Sequence, residues 1–139
     1  MADVDWSPST IFGRDYRAAR AATPKELQQA ENRVSAQLPD DLRQLYLTSD
    51  GVWDIAGQWF VVWPLKRLVD ANGVLSEDNE WSETDLVAFG DGGTGNPFCL
   101  MRSAPGIYFW SHIDAEAALL APDLQTFWDG WTHNRLPPH

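Results

Sequence analysis

Gly90, Gly92 and Gly95 stand in the spacing G-x-G-x-x-G within FGDGGTGNPFCL, residues 89–100. Between a strand and a helix, that spacing lets backbone N–H groups close on a pyrophosphate. Asp91 lies inside the stretch, and His112 and Asp114 follow it. A histidine between two carboxylates is a minimal set for general acid–base hydrolysis. Cys99, the one cysteine, is the remaining candidate nucleophile.

Each of these chemistries needs a particular setting. A dinucleotide loop must open a helix, because the helix N-terminus faces the phosphates. Here Asn96-Pro97 follows the glycines, and then comes the strand-like run PFCLM (97–101). No GK[ST] marks a P-loop. A calcium loop begun at Asp91 would need Gly at its sixth position and Glu at its twelfth. Asn96 and Arg102 occupy them. The stretch therefore reads as a turn between two strands, with glycines supplying positive φ, and Gly92 or Gly95 is the residue expected to need it.

His112 has no Ser or Cys in a nucleophile elbow to work with. It reads as a structural or surface residue, and His133 and His139 as solvated. Cys99, between Phe98 and Leu100, reads as a small buried hydrophobe. The chain has no C-x-x-C or H-x-x-x-H spacing, so no metal or other cofactor is expected. A single cysteine forms no internal disulfide, which fits a reducing, cytoplasmic compartment.

The elements that would position these residues follow from the pattern. In TPKELQQAENRVSAQL, Thr23 and Glu26 form a capping box around Pro24, and Leu27, Ala30, Val34 and Leu38 share one face. A second helix runs through LPDDLRQLYLTSDG and stops at Asp50-Gly51. QWFVVW (58–63) reads as a strand ended by Pro64. LKRLVDAN (65–72) reads as a short helix or irregular segment, and GVLSEDNEWSE (73–83) as a loop. DLVAFG (85–90), PFCLM and GIYFWS (106–111) are three further strands. APDLQTFWDGWTH returns to helix, with Leu124, Phe127, Trp128 and Trp131 at i, i+3, i+4 and i+7. Arg14, Arg17 and Arg20 recur at helical spacing and suggest a short N-terminal helix with a basic face.

The order is helices, a strand meander, then a helix. It predicts an α+β fold with an antiparallel sheet in one domain over 1–139, with its core in 23–133 and a tail from 134. The expected core contains Leu27, Val34, Leu42, Leu45, Phe60, Val62, Phe98, Leu100, Tyr108, Trp110, Leu124 and Phe127.

The formal net charge is −10. Such a field repels phosphate, so neither nucleic acid nor an anionic membrane is expected as a direct partner, and a basic protein is. No window holds the ~18 consecutive apolar residues of a membrane span. The acid-bearing MADVDWSPST reads as neither a secretory signal nor a transit peptide. From Leu68 to Met101 the chain carries seven acids and no Lys or Arg. Within that run Asp78, Glu80, Glu83, Asp85 and Asp91 surround Trp81. Together with Trp53, also in a polar segment, they form the expected partner surface: apolar anchors in an acidic ring.

Three segments in this order resemble the SUKH superfamily, which includes bacterial immunity proteins and a fungal cell-wall-assembly regulator. They are the capped helix, Leu-Pro and second helix of 23–51, the strand–turn–strand–turn–strand of 86–112 that ends in an aromatic and His, and the closing helix of 120–131. The sequence departs from the family's pattern in having Asn96 where Asp is common, and Ser111 and Ile113 around His112. The stretch 52–85 carries no part of the resemblance. The resemblance implies a SUKH-like fold, no catalysis, and a protein-binding role. The function it implies is an immunity protein that neutralises a cognate toxin domain, possibly a nuclease. A regulatory scaffold is the alternative, and a small hydrolase using Asp91, His112 and Asp114 a weaker one.

Overall fold

The computed structural model describes residues 15–93, 96–111, 113–133 and 135–136. Gly95, His112, Arg14 and His139 lie outside them, and with them part of the glycine motif and the histidine of the hydrolase reading. The described residues form an α+β domain with seven strands and five helices. Helix α1 is Pro24–Val34, α2 Asp40–Thr48, α3 Leu65–Leu75, α4 Asn79–Ser82 and α5 Leu124–Thr132. Strands β1 (Tyr16–Ala18), β2 (Val52–Asp54), β3 (Trp59–Val62), β4 (Leu86–Asp91), β5 (Pro97–Met101), β6 (Ile107–Ser111) and β7 (Glu116–Ala121) make one antiparallel sheet in chain order.

The start of α1 follows from its sequence. Thr23 Oγ1 accepts from the Glu26 N–H at 3.1 Å, and Glu26 returns the favour to the Thr23 N–H at 3.0 Å. Two orphan donors are thereby satisfied at once. Leu27, Ala30 and Val34 turn inward and join Leu42, Leu45 and Tyr46 of α2 on the sheet. Phe127 of α5 completes this core, with its ring centroid 4.8 Å from that of Phe98. Behind the sheet a second, smaller cluster holds Trp63, Trp81, Leu86, Ala88, Cys99 and Trp110. The two clusters are separated by the pleat, which sends successive side chains to opposite faces.

Of the expected core, Phe60 and Tyr108 are only half-buried, at the margin of the second cluster, and the other ten residues are buried. Residues 16–18 are a strand, not part of a basic helix: β1 pairs with β2, and Tyr16 rests on Trp128 with centroids 4.9 Å apart. The polar stretch 73–83 is mostly helical. It completes α3 and forms α4, which Asp78 caps by accepting from the N–H groups of Glu80 and Trp81. Strands β2 and β7 are elements the sequence reading did not assign.

Candidate functional site: an aromatic groove

Strand β3 leaves the sheet early. It meets β4 only at Val62 and Gly90, with a further backbone bond from the Trp63 N–H to the Phe89 carbonyl at 2.8 Å. The chain then turns at Pro64 into α3, which crosses the open side of β4. Two bonds fix that turn: Tyr46 Oη donates to the Trp63 carbonyl (2.7 Å), and Asp50 Oδ1 accepts from the Leu65 N–H (2.7 Å). The register shift between β2 and β3 leaves Val61 and Val62 both in the main core. Phe60 and Trp63 face the other way.

The result is an open groove of about 730 Å³. Phe60 and Trp63 form one wall, Val74 and Leu75 of α3 the other, and Asp91 and Pro97 close the end. Asp91 and Pro97 are paired across the base of the β4–β5 hairpin, so the glycine turn stands over the groove's end. Among the described residues of that turn Gly93 is left-handed, with φ at 90°, and Gly92 is not; Gly95 lies outside the described residues. Phe60 also lines a smaller recess of about 250 Å³ with Arg17, Ala19 and Trp53. Trp53 meets Phe60 edge-on at 4.8 Å, and the Arg17 guanidinium lies 5.8 Å from the Trp53 ring.

The ionisable groups in the groove already have partners. Asp91 accepts from Trp63 Nε1 at 3.2 Å and from the Gly93 N–H at 2.7 Å. Trp59 Nε1 donates to the Asp91 carbonyl at 3.1 Å. Lys66 pairs with Asp70 at 3.0 Å, and Arg67 sits 5.4 Å from the Trp63 ring centroid. What the groove offers a ligand is apolar and aromatic surface: Val74 is 68% exposed and Phe60 half-exposed.

A second depression, of about 550 Å³, lies beside α1 and is polar. Its carboxylate, Glu31, is committed to the Leu38 N–H at 2.7 Å and to Arg43 at 3.4 Å.

Of the residues expected to form an acidic ring and its anchor, the anchor is not at the surface. Trp81 is 4% exposed and packs edge-on against Trp110, centroids 5.5 Å apart, so it is a core residue and offers no ring to a partner. Asp78 is spent on the cap of α4, and Asp85 accepts from the Ser103 N–H at 2.6 Å. Glu80 and Glu83 are exposed on the short α4 segment. Trp53 is half-exposed beside Phe60, a neighbour expected in the core. Phe60 looked like core because β3 is rich in β-branched and aromatic residues; the register shift that turns it outward has no signature in the composition. Cys99 is buried, and burial pushes its thiol well above the ordinary value.

Among the described residues no helix is long and apolar enough to cross a membrane. Compared with known families, the chain matches the model of the SMI1 / KNR4 family (SUKH-1) over residues 21–130. No curated protein matches it. The matched span runs from just before α1 into α5, and so contains the whole groove.

Proposed function

The chain belongs to the SMI1 / KNR4 family (SUKH-1), and on that premise we propose that it is a cytoplasmic immunity protein that binds a bacterial toxin domain and holds it inactive. The observation that carries the reading is the groove itself. Of its charged groups, Asp91 accepts from indole and backbone N–H groups, Lys66 and Asp70 pair with each other in the open, and Arg67 lies over the Trp63 ring. Its half-open aromatic and aliphatic walls are the kind of surface that anchors a partner's side chain. Trp53 and Phe60 extend that surface across β2 and β3. Glu80 and Glu83, on the segment that follows α3, supply negative charge for a basic partner. That charge steers the encounter and makes its rate depend on salt.

The test is co-expression with the C-terminal domain of the product of the neighbouring reading frame, followed by capture of the pair. Restored growth and a stoichiometric complex are expected. Growth arrest that persists with no complex formed rejects the immunity reading and leaves the regulatory scaffold in its place.

A further inference from the structure

Strand β7 ends the sheet. Among the described residues nothing pairs with its outer edge. An open edge is a row of unused N–H and C=O groups, and proteins usually blunt it with lysines, proline or a covering element. Strand β7 reads EAALLA, with no Lys and no Pro within it. Its first four residues are exposed, and Leu119 is 56% exposed. The register shift against β6 skips Leu120, which together with Ala121 drops into the main core. The strand is thus pinned at one end, while Glu116–Leu119 stay in plain antiparallel pairing with β6 along their inner side. A pinned, regular strand with a free outer edge is a preformed template for one more strand.

The charges select what can add to it. Asp114, which Ser111 Oγ meets at 3.4 Å, and Glu116 stand at the start of β7, and Asp123, which caps α5 through the Thr126 N–H at 2.7 Å, follows its end; all three remain exposed. A second copy of this chain fits poorly: an antiparallel pairing centred on β7 brings the Asp114 end of each copy against the Asp123 end of the other, twice by symmetry. Like charges placed opposite each other destabilise a strand pair. We infer that the outer edge of β7 accepts an extended segment of a partner protein as an eighth strand, apolar or small in its middle and carrying Lys or Arg at both ends. The main-chain bonds hold it, and the carboxylates at either end of β7 choose the basic flanks. Short side chains at Ala117 and Ala118 leave room on both faces for the incoming residues. This surface is separate from the groove, and the inference stands whether or not the partner is a toxin.

The probe is a blocked peptide of alternating Thr and Val with two lysines at each end, titrated into the full chain while amide exchange is followed by NMR. In the free protein the outward amides of β7 should exchange fast. The peptide should slow them, and at low salt it should bind at least about 10-fold tighter than its glutamate-ended counterpart. Of two forms N-methylated on alternate residues, one should keep its binding and the other lose it, since only one set of amides faces β7. Glu116→Lys, at an exposed position, should narrow the preference for lysine ends without lowering the melting temperature. Three results overturn the inference: β7 amides already protected in the free chain, protection that grows with protein concentration alone, or equal binding of the two methylated forms.

Discussion

The side-chain amide of Asn72 takes the place of a missing strand beside Ala88. Its Oδ1 accepts from the Ala88 N–H at 2.9 Å, and its Nδ2 donates to the Ala88 carbonyl at 2.8 Å and to the Leu68 carbonyl at 2.7 Å. Strand β3 has already left the sheet at this level, so without Asn72 both backbone groups of Ala88 would be buried and unpaired. The same side chain ties α3 to β4 and so fixes one wall of the groove relative to its floor. Asn72→Ala should cost about 2–6 kcal/mol, from two unsatisfied groups at about 1–3 kcal/mol each. Urea unfolding measures it, and a loss under about 1 kcal/mol would mean that another group or water replaces the amide.

Two glycines should respond in opposite directions. A Cβ on Gly90 would lie 1.9 Å from the Val61 carbonyl oxygen, so β3 could not stay on β4. Gly73, on the outer side of α3, would meet nothing within 4 Å. Gly73→Ala should raise stability by up to about 0.5–1 kcal/mol, as for an exposed helical position. Gly90→Ala should lower it by about 2 kcal/mol or more through strain in a close-packed sheet. Paired denaturation curves check both signs.

Trp81 belongs to the core, so its truncation should show in stability. Trp81→Ala should cost about 3–5 kcal/mol, because it opens a cavity under α4 against Trp110. The sequence reading placed this residue on the surface. A variant that unfolds like the parent chain, yet fails to bind partner, would restore that placement.

The elements legible in the sequence are those with local signals. The capping box set the start of α1, and aromatic, β-branched runs marked β3 and β6. The elements that were not legible are held by their neighbours. Glu, Ala and Leu are helix formers, yet EAALLA is a strand because β6 pairs with it along its length. Strands β1 and β2 have three residues each, too few to show a period. Arginines spaced three apart imitated a helix there. In 73–83, Asp78, read as part of an acidic ring, serves as a helix cap, and a capped short helix carries no apolar stripe. The glycine turn was readable as a hairpin, but the groove it closes was not. That groove arises where β3 departs from β4, and the departure is set by tertiary bonds from Tyr46, Asp50 and Asn72.

Stability should fall at both ends of the pH scale. Burial pushes Cys99 well above its ordinary 9.0. Burial, and then the Asp50 charge, push Tyr46 well above 10.0. The unfolded chain therefore loses these protons first. The stabilisation is full below pH 9 and declines as the pH rises beyond it. Glu26 moves the other way. The backbone and hydroxyl bonds at Thr23 hold its carboxyl below the ordinary 4.5, so its contribution is present above that value and is lost on acidification. Urea midpoints from pH 3 to pH 11 should trace both declines. In Cys99→Val the alkaline decline should be shallower, and an unchanged slope would argue against the assignment to Cys99.

The most direct measurement of the central claim is a calorimetric titration of the captured toxin domain with Val74→Asp, compared with the parent chain. Val74 is 68% exposed, so the substitution should leave the melting temperature unchanged. It places a charge on the apolar wall opposite Phe60 and Trp63. If the groove seats the partner, affinity should fall by at least about 30-fold, equivalent to about 2 kcal/mol, mainly through faster dissociation. Parent-like affinity in the folded variant would show that the partner binds elsewhere.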